Sequence, residues 1–241
     1  MTQTSERQRP GAAALVLPVY NEVATVSCVL DAVRAVYDGP MWVVDDGSTD
    51  GTAEAIRSRS DVEIIRHDQN LGYGQSLIDG FAAAMLAGAE AIVTMDCDGQ
   101  HEPAHIPEFL EALEGADIVS GSRYLSDSPE VGNAPASRQE INRRISAAIN
   151  RVTGWGITDA FCGFKAYRAS ALRSVRLIEP GYAMPLELWA EAYRARLRVK
   201  ELPVARIYFD GDRTFGLDLD DPDHRLGYYV RVWETALERE G

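Results

Sequence analysis

The chain has 241 residues, of which 46% are hydrophobic and 25% are charged, a composition typical of a globular protein with a sizeable core. Asp and Glu number 37 against 24 Lys and Arg, and the resulting net charge of -13 argues against nucleic acid as a partner and against loose electrostatic docking on anionic lipid. Three cysteines without a CxxC pair indicate neither a disulfide framework nor a zinc site, and no apolar run approaches the ~18 residues of a transmembrane helix.

Strands and helices alternate along the first half of the chain. Short apolar runs predict the strands, and apolar residues at helical spacing predict the helices between them. The predicted strands are residues 12–17, 41–44, 62–65 and 91–95, and the predicted helices are residues 22–37, 51–59 and 73–87. This alternation predicts an α/β fold with a mostly parallel central sheet and helices on both of its faces.

The second half of the chain is less regular. The predicted helices are residues 103–113, 138–152, 184–196 and 225–239, and the predicted strands are residues 117–120, 197–201 and 204–209. Loops are predicted at residues 126–135, which are rich in Ser, Pro and Gly, and at the acidic residues 211–223. We expect a flexible N-terminus over residues 1–11, one domain over residues 12–215, and a C-terminal segment, residues 216–241, whose amphipathic helix packs on that domain.

Polar residues follow three of the predicted strands, at residues 18–22, 45–52 and 96–101. Ligands of open parallel sheets bind at the carboxyl ends of the strands, so these segments are expected to meet in one crevice. Asp96 and Asp98 are two residues apart and suit a hard divalent cation, whose open coordination positions substrate phosphates fill. The same Asp-x-Asp-Gly sequence is also favourable in a turn, and from these residues alone both interpretations stay open.

The segments between these strand ends also have two interpretations. In one interpretation Ser48 or Asp50 caps the helix that follows. A cap does not need the two adjacent acidic residues Asp45 and Asp46 as well, so in the other interpretation one of them faces a ribose or a base. Residues 70–74, with two glycines, form either a loop that approaches a phosphate or a turn before the next helix.

Four motifs therefore occur in a fixed order: Pro18-Val19-Tyr20-Asn21-Glu22, Asp45-Asp46-Gly47-Ser48-Thr49-Asp50-Gly51-Thr52, Asn70-x-Gly72-x-Gly74 and Asp96-x-Asp98-x-Gln100-His101-x-Pro103. Together they resemble the family 2 glycosyltransferases, and within them the dolichyl- or polyprenyl-phosphate mannosyltransferase group. The resemblance covers residues 12–215. It implies a GT-A fold, which is a Rossmann-like three-layer sandwich, and a nucleotide-sugar donor. It also implies Mg²⁺ or Mn²⁺ and inversion at the anomeric carbon, and both GDP-mannose and UDP-linked hexoses are compatible with the motifs.

The resemblance also implies roles for individual residues. The residues expected to bind the nucleotide sugar are Pro18, Tyr20, Glu22, Asp45, Asp46, Gly72, Asp96, Gln100 and Arg213. Asp96 and Asp98 are expected to bind the metal, and Asp98 is expected to be catalytic. Arg123 is expected to contact an anionic acceptor or a donor phosphate. Arg143 and Ser146 lie in a segment that resembles a helix binding a lipid phosphate.

Several positions depart from the family pattern. Tyr73 stands where Lys is common, and Asn142 stands near that helix where an Arg is expected. The Arg and the Gly-x-Ser-Lys motif that are usual near the end of the family's domain are missing, and Arg206 and Arg213 are found there instead. The identity of the phosphate-contacting arginine, and with it the class of acceptor, therefore stays open.

Two acceptor classes are compatible with this pattern. A polyprenyl phosphate is already anionic and needs no general base. A small hydroxylic acceptor needs a carboxylate within hydrogen-bond reach to take its proton, and Asp159 and Glu187 are the candidates. Glu187 could also be a surface residue of the predicted helix 184–196.

Two other functions stay in competition with the transferase. A catalytically silent nucleotide-sugar-binding subunit would not need the intact pair Asp96 and Asp98, and a sugar nucleotidyltransferase would usually have a basic Gly-rich loop where residues 18–22 stand. The polar first ten residues contain no signal peptide, so we expect a cytoplasmic protein. Peripheral contact with the inner face of the membrane and a homodimer both stay open.

Overall fold

The structure, a computed structural model, describes residues 12–208 and 216–239. Its strands are β1 (Ala13–Val19), β2 (Met41–Asp45), β3 (Glu63–Arg66), β4 (Ala91–Thr94), β5 (Ile118–Ser122), β6 (Glu130–Val131), β7 (Lys165–Arg168), β8 (Val199–Pro203) and β9 (Arg206–Ile207). Its helices are α1 (Val26–Arg34), α2 (Thr52–Arg57), α3 (Tyr73–Leu86), α4 (Ile106–Ala112), α5 (Ala136–Thr153), α6 (Ala169–Arg173), α7 (Met184–Arg194) and α8 (Pro222–Glu238). The predicted flexible N-terminus, residues 1–11, lies outside the described residues.

Seven of the strands form one sheet in the order β3-β2-β1-β4-β7-β5-β8. β7 runs antiparallel to both of its neighbours, and the other pairs are parallel. β6 and β9 form a separate parallel pair. The predicted α/β fold with a mostly parallel central sheet is confirmed.

The sheet is covered on both faces, and β1 shows why. Successive side chains of a strand point to opposite faces. Ala14 and Val16 belong to the apolar cluster that also contains residues of α3, α5, α7 and α8. Leu15 and Leu17 belong to the cluster that contains residues of α1, α2 and α4. A continuous apolar run is the pattern expected of a parallel strand that is buried on both faces, and it produces the three-layer arrangement here.

The structure differs from the sequence prediction mainly in its short elements. The sequence does not predict β7, because its four residues, Lys-Ala-Tyr-Arg, have only two neighbouring apolar side chains between two charged ones and show neither an apolar run nor strict alternation. β6 lies inside the predicted loop 126–135. The helix predicted to begin at residue 22 begins at Val26, and the residues before it form a separate turn in which the N–H groups of Thr25 and Val26 donate to the Glu22 carbonyl.

The C-terminal helix α8 packs against α5 and α7. Tyr229 and Trp233, from its predicted apolar face, are buried, and so is Arg225 in its first turn. Among the residues that the structure describes, none of the helices has the length and the apolar character needed to cross a membrane.

Candidate functional site

A cleft of about 600 Å³ lies where β1, β2 and β4 end. It is lined by these residues predicted for the donor or the metal: Pro18, Tyr20, Glu22, Asp46, Gly72, Asp96, Asp98 and Gln100. Arg123, from the end of β5, lines the same cleft. The structure therefore brings the three strand-end segments and one predicted arginine together.

The segment at residues 45–52 braces the loop that follows β1. The backbone N–H of Asn21 donates to Ser48 Oγ at 3.0 Å. The backbone N–H of Glu22 donates to Thr52 Oγ1 at 2.8 Å. The hydroxyl groups of this segment thus hold the chain at the position where Tyr20 and Glu22 enter the cleft.

Asp46 holds the loop that leads into α3. Its Oδ1 and Oδ2 atoms accept hydrogen bonds from the backbone N–H groups of Leu71 at 2.8 Å and Gly72 at 2.9 Å. Gly72 has φ +109°, a conformation that glycine adopts without steric cost. On the other side, His67 Nδ1 lies 2.7 Å from Asp46 Oδ1, and His67 Nε2 lies 3.1 Å from Asp79 Oδ2. The Asp46 carboxylate therefore shapes this wall of the cleft.

Asp96 follows β4 and its two carboxylate oxygens are in different surroundings. His101 Nε2 lies 3.3 Å from Asp96 Oδ2, whereas Asp96 Oδ1 is buried and has no hydrogen-bond partner. Burial alone would raise the pKa of the Asp96 carboxyl, but His101 and other neighbouring groups outweigh it and lower the pKa. Asp98 Oδ1 accepts from the Gln100 N–H at 2.8 Å, a contact that turns the chain just after Asp98.

This arrangement suits a divalent cation. A buried carboxylate oxygen without a partner is costly, and a bound cation would satisfy it. Mg²⁺ and Mn²⁺ prefer oxygen ligands, which Asp96, Asp98 and Gln100 offer at this end of the cleft. Within residues 12–208 and 216–239, no group of three or more His, Cys, Asp or Glu is arranged to hold a metal. A divalent cation bound by two carboxylates keeps coordination positions that the phosphates of a donor could fill.

Arg123 is fixed by a buried carboxylate. Its Nε donates to Asp159 Oδ2 at 2.7 Å and its Nη2 donates to Asp159 Oδ1 at 3.0 Å. Asp159 Oδ1 also accepts from the Phe161 N–H at 3.1 Å. Burial alone would raise the pKa of Asp159, but the Arg123 guanidinium lowers it below its ordinary value. The structure places Asp159, a candidate general base from the sequence, in a buried ion pair with Arg123 and outside the residues that line the cleft.

A second group of basic and aromatic side chains lines the other part of the cleft. Arg138 from α5 and Arg225 from α8 both line it, with the Arg138 guanidinium 5.9 Å from the centre of the Tyr208 ring. Arg225 Nη1 donates to the Leu219 carbonyl at 2.6 Å. Burial chiefly lowers the pKa of Arg225, and the neighbouring Arg138 charge lowers it further. Two cations are thus close together in a chain whose net charge is strongly negative.

Two predicted acidic site residues lie outside the cleft lining. Asp45 Oδ1 accepts from the Ser48 N–H at 2.9 Å, and Asp45 Oδ2 lies 3.6 Å from Arg66 Nε, so this carboxylate holds a turn next to the cleft. Glu187 is completely buried, so the interpretation as a surface residue is wrong, and this candidate base is not among the residues that line the cleft. Its Oε2 accepts from the backbone N–H groups of Ile178 and Glu179 at 2.7 and 2.8 Å, and Arg239 pairs with its other oxygen.

The residues predicted for the acceptor are only partly at the cleft. Arg143 is exposed and its guanidinium pairs with Glu140, so its side chain is directed to the helix surface. Ser146 is buried on α5 outside the cleft lining. Asn142, at the position where an Arg was expected, lines the cleft but bonds to the Thr158 carbonyl at 2.8 Å. Arg213 lies outside the described residues.

Tyr73, Arg138 and Arg225 line the cleft although the sequence analysis assigns none of them to the site. In the sequence Tyr73 stands out only as a departure from the family pattern, and in the structure it lines the cleft beside Asp96. Arg138 precedes Asn142 by one helical turn and could have been found from that spacing. Arg225 could not, because no pattern in the sequence relates α8 to α5.

Comparisons with known proteins identify the family. The profile of glycosyl transferase family 2 matches residues 14–176. The undecaprenyl-phosphate mannosyltransferase of Micrococcus luteus is 34% identical over 200 residues, which cover 80% of this chain and 82% of that protein. The polyprenol monophosphomannose synthase of Mycolicibacterium smegmatis is 30% identical over 200 residues, covering 79% and 75% respectively.

A solved structure supports the fold. The glucosyl-3-phosphoglycerate synthase of Mycobacterium tuberculosis, crystallised with Mn²⁺, UDP and glucosyl-3-phosphoglycerate, superposes with a TM-score of 0.72. The two proteins are 21% identical, and the match covers 95% of this chain and 81% of that one. The predicted GT-A fold is confirmed by this likeness. The family match and the two relatives show that this chain belongs to glycosyl transferase family 2, near its polyprenyl-phosphate mannosyltransferase group.

Proposed function

We propose that this glycosyltransferase moves a sugar, preferably mannose, from a nucleoside-diphosphate donor to the phosphate of a polyprenyl phosphate. One observation carries the proposal: a single cleft has the two carboxylates Asp96 and Asp98 in one part and the guanidinium groups of Arg123, Arg138 and Arg225 among its other lining residues. The relatives named for undecaprenyl phosphate and polyprenol are consistent with that acceptor.

The donor would bind across the strand ends. Tyr20, Glu22 and Asp46 line the part of the cleft beside β1 and β2, where the nucleoside would lie. Mg²⁺ or Mn²⁺, held by Asp96 and Asp98 with Gln100 nearby, would offset the negative charge of the diphosphate as it leaves. Both GDP-mannose and UDP-linked hexoses remain candidate donors.

The acceptor phosphate would bind at the arginines. Arginine presents several N–H donors in a planar fork that matches phosphate oxygens, and Arg123 is pre-oriented by its two bonds to Asp159. Arg138 would provide the positive charge that Asn142, one turn further along α5, lacks. The proposal replaces Arg143 and Ser146 by Arg138 and Arg225 as acceptor residues.

The reaction would be a single displacement with inversion. An oxygen of the acceptor phosphate attacks the anomeric carbon, the bond from that carbon to the donor's β-phosphate oxygen breaks, and the nucleoside diphosphate departs with the electron pair. Because the attacking oxygen is already anionic, no proton must be removed from it. This agrees with the burial of Asp159 and Glu187, which leaves neither carboxylate in the lining of the cleft.

A comparison of three arginine variants tests the acceptor assignment. Arg138→Gln and Arg225→Gln should each raise the KM for polyprenyl phosphate about tenfold or more while the KM for the donor stays within twofold, since a charged hydrogen bond to phosphate is worth roughly 1.5–3 kcal/mol. Arg143→Gln is the matched control on α5 and should change neither constant. If nucleoside diphosphate is released at the same rate with and without polyprenyl phosphate, the acceptor is instead a small hydroxylic compound. Nucleotide binding without turnover of any donor would indicate the silent subunit.

A further inference from the structure

Gly163 lies directly against the carboxylate of Asp96. A Cβ atom at position 163 would be 2.3 Å from Asp96 Oδ2, 2.7 Å from Cγ and 2.8 Å from Oδ1, whereas real Cβ contacts stay above 3.0 Å. Gly163 is not among the glycines with positive φ, so its backbone conformation would accept another residue. The requirement for glycine here comes from the space that the Asp96 carboxylate occupies.

The backbone of Gly163 has little freedom to move away. The buried hydroxyl of Thr94, two residues before Asp96, donates to the Gly163 carbonyl at 2.8 Å. The buried ammonium group of Lys165 donates to the Cys162 carbonyl, one residue before Gly163. Thr94 and Lys165 are also paired in register across β4 and β7. The peptide at Gly163 is therefore tied to the strand that delivers Asp96.

A second group, the His101 ring, also contacts the Asp96 carboxylate. His101 Nε2 lies 3.3 Å from Asp96 Oδ2, and the His101 ring packs edge-on against Phe164 with the ring centres 5.7 Å apart. An added methyl group at position 163 would consequently have to displace the carboxylate itself, along with the buried Oδ1 that has no hydrogen-bond partner.

We propose that Gly163 is a positioning residue for metal binding: its missing side chain makes the space in which the Asp96 carboxylate is held with Oδ1 available to the cation. The inference rests on the proposed function only in assigning Asp96 to a metal. Groups that orient a metal ligand typically change the metal affinity 10- to 100-fold when they are altered.

Mn²⁺ binding to three proteins tests the proposal. Free Mn²⁺ would be measured by electron paramagnetic resonance during titration of the wild type, Gly163→Ala and Gly115→Ala, each with GDP or UDP present. Gly163→Ala should bind Mn²⁺ 10- to 100-fold more weakly than the wild type. Gly115→Ala should bind like the wild type, because a Cβ at position 115 meets no atom within 4 Å. Equal Mn²⁺ affinity in Gly163→Ala and the wild type would overturn the proposal.

A double-mutant cycle without metal tests the contact itself. Gly163→Ala should lower the unfolding midpoint in the wild-type background. It should lower the midpoint much less in the Asp96→Ala background, where the carboxylate is absent. If only the double variant folds, the proposal is supported. If Gly163→Ala lowers the midpoint equally in both backgrounds, or if neither the single nor the double variant folds, the clash is not with the carboxylate and the proposal fails. A wild type that binds no Mn²⁺ would reject the metal assignment in the proposed function, while the cycle would still decide whether Gly163 makes room for Asp96.

Discussion

The ion pair between Arg123 and Asp159 offers a prediction whose size follows from its burial. Asp159 has no exposed surface and the Arg123 side chain is 19% exposed. The guanidinium donates two hydrogen bonds of 2.7 and 3.0 Å to the carboxylate, and the Arg123 backbone N–H donates a third at 3.2 Å. Asp159→Asn keeps the shape of the side chain but removes its charge, so a largely buried guanidinium loses its counter-charge. Breaking a buried pair in this way costs 3–5 kcal/mol, and because Arg123 retains some contact with water we expect about 3 kcal/mol.

The same pair gives the prediction a pH dependence. The pKa of Asp159 is lower in the folded protein than the ordinary value of about 3.9, so its contribution to stability is complete above pH ~4 and is lost as the pH falls through the folded-state pKa. Asp159→Asn has no such group. The difference in unfolding free energy between the two proteins should therefore be constant near neutral pH and should shrink below about pH 4.

Urea unfolding followed by tryptophan fluorescence at several pH values measures both effects. Arg143→Gln is the control, because it removes an exposed pair on α5 and should leave the unfolding midpoint unchanged. A loss below ~1 kcal/mol at pH 7, or a loss that persists unchanged at pH 3, would refute the view that Asp159 is an ionised, buried partner that positions Arg123.

Two further predictions concern buried groups. Glu187→Gln should lower the unfolding free energy by about 3 kcal/mol, because it breaks a buried ion pair with Arg239. The Kd for nucleotide should stay unchanged. Weaker nucleotide binding with unchanged stability would indicate instead that Glu187 takes part in the binding site. Iodoacetamide should modify the exposed Cys28 first in the native protein, because Cys97 and Cys162 are buried and burial raises the pKa of the Cys162 thiol to about 11. Peptide mass spectrometry measures this order, and equal labelling of all three thiols would contradict the packing at β4 and β7.

The part of the fold that the sequence predicts is the part determined by local patterns. The apolar run that forms β1 and the helical spacing of Val26, Val29, Leu30 and Val33 in α1 each specify an element without reference to the rest of the chain. β7 depends on non-local contacts, since its residues become strand only by pairing with β4 and β5. No pattern in the sequence of β7 itself indicates that it inserts antiparallel into an otherwise parallel sheet.

The site follows the same division. The strand-end rule predicts that Asp46, Asp96 and Asp98 reach one cleft, because it depends only on the order of strands and polar segments. The roles of Asp159 and Glu187 depend on partners far along the chain, 36 and 52 residues away. The sequence does not distinguish a carboxylate that belongs to a structural ion pair from one that acts as a general base. The two roles can be told apart only from the position of the carboxylate's partner in the fold.

The transfer reaction itself tests the central claim most directly. Purified protein would be incubated with GDP-mannose carrying a radiolabel in the sugar, or with labelled UDP-hexoses, together with polyprenyl phosphate and Mn²⁺. The label extracted into the organic phase would then be counted. We predict label in the lipid for at least one donor, with loss of that label on chelation and in Asp98→Ala but not in Arg143→Gln. Tight, metal-dependent nucleotide binding with no label in the lipid from any donor would contradict the account.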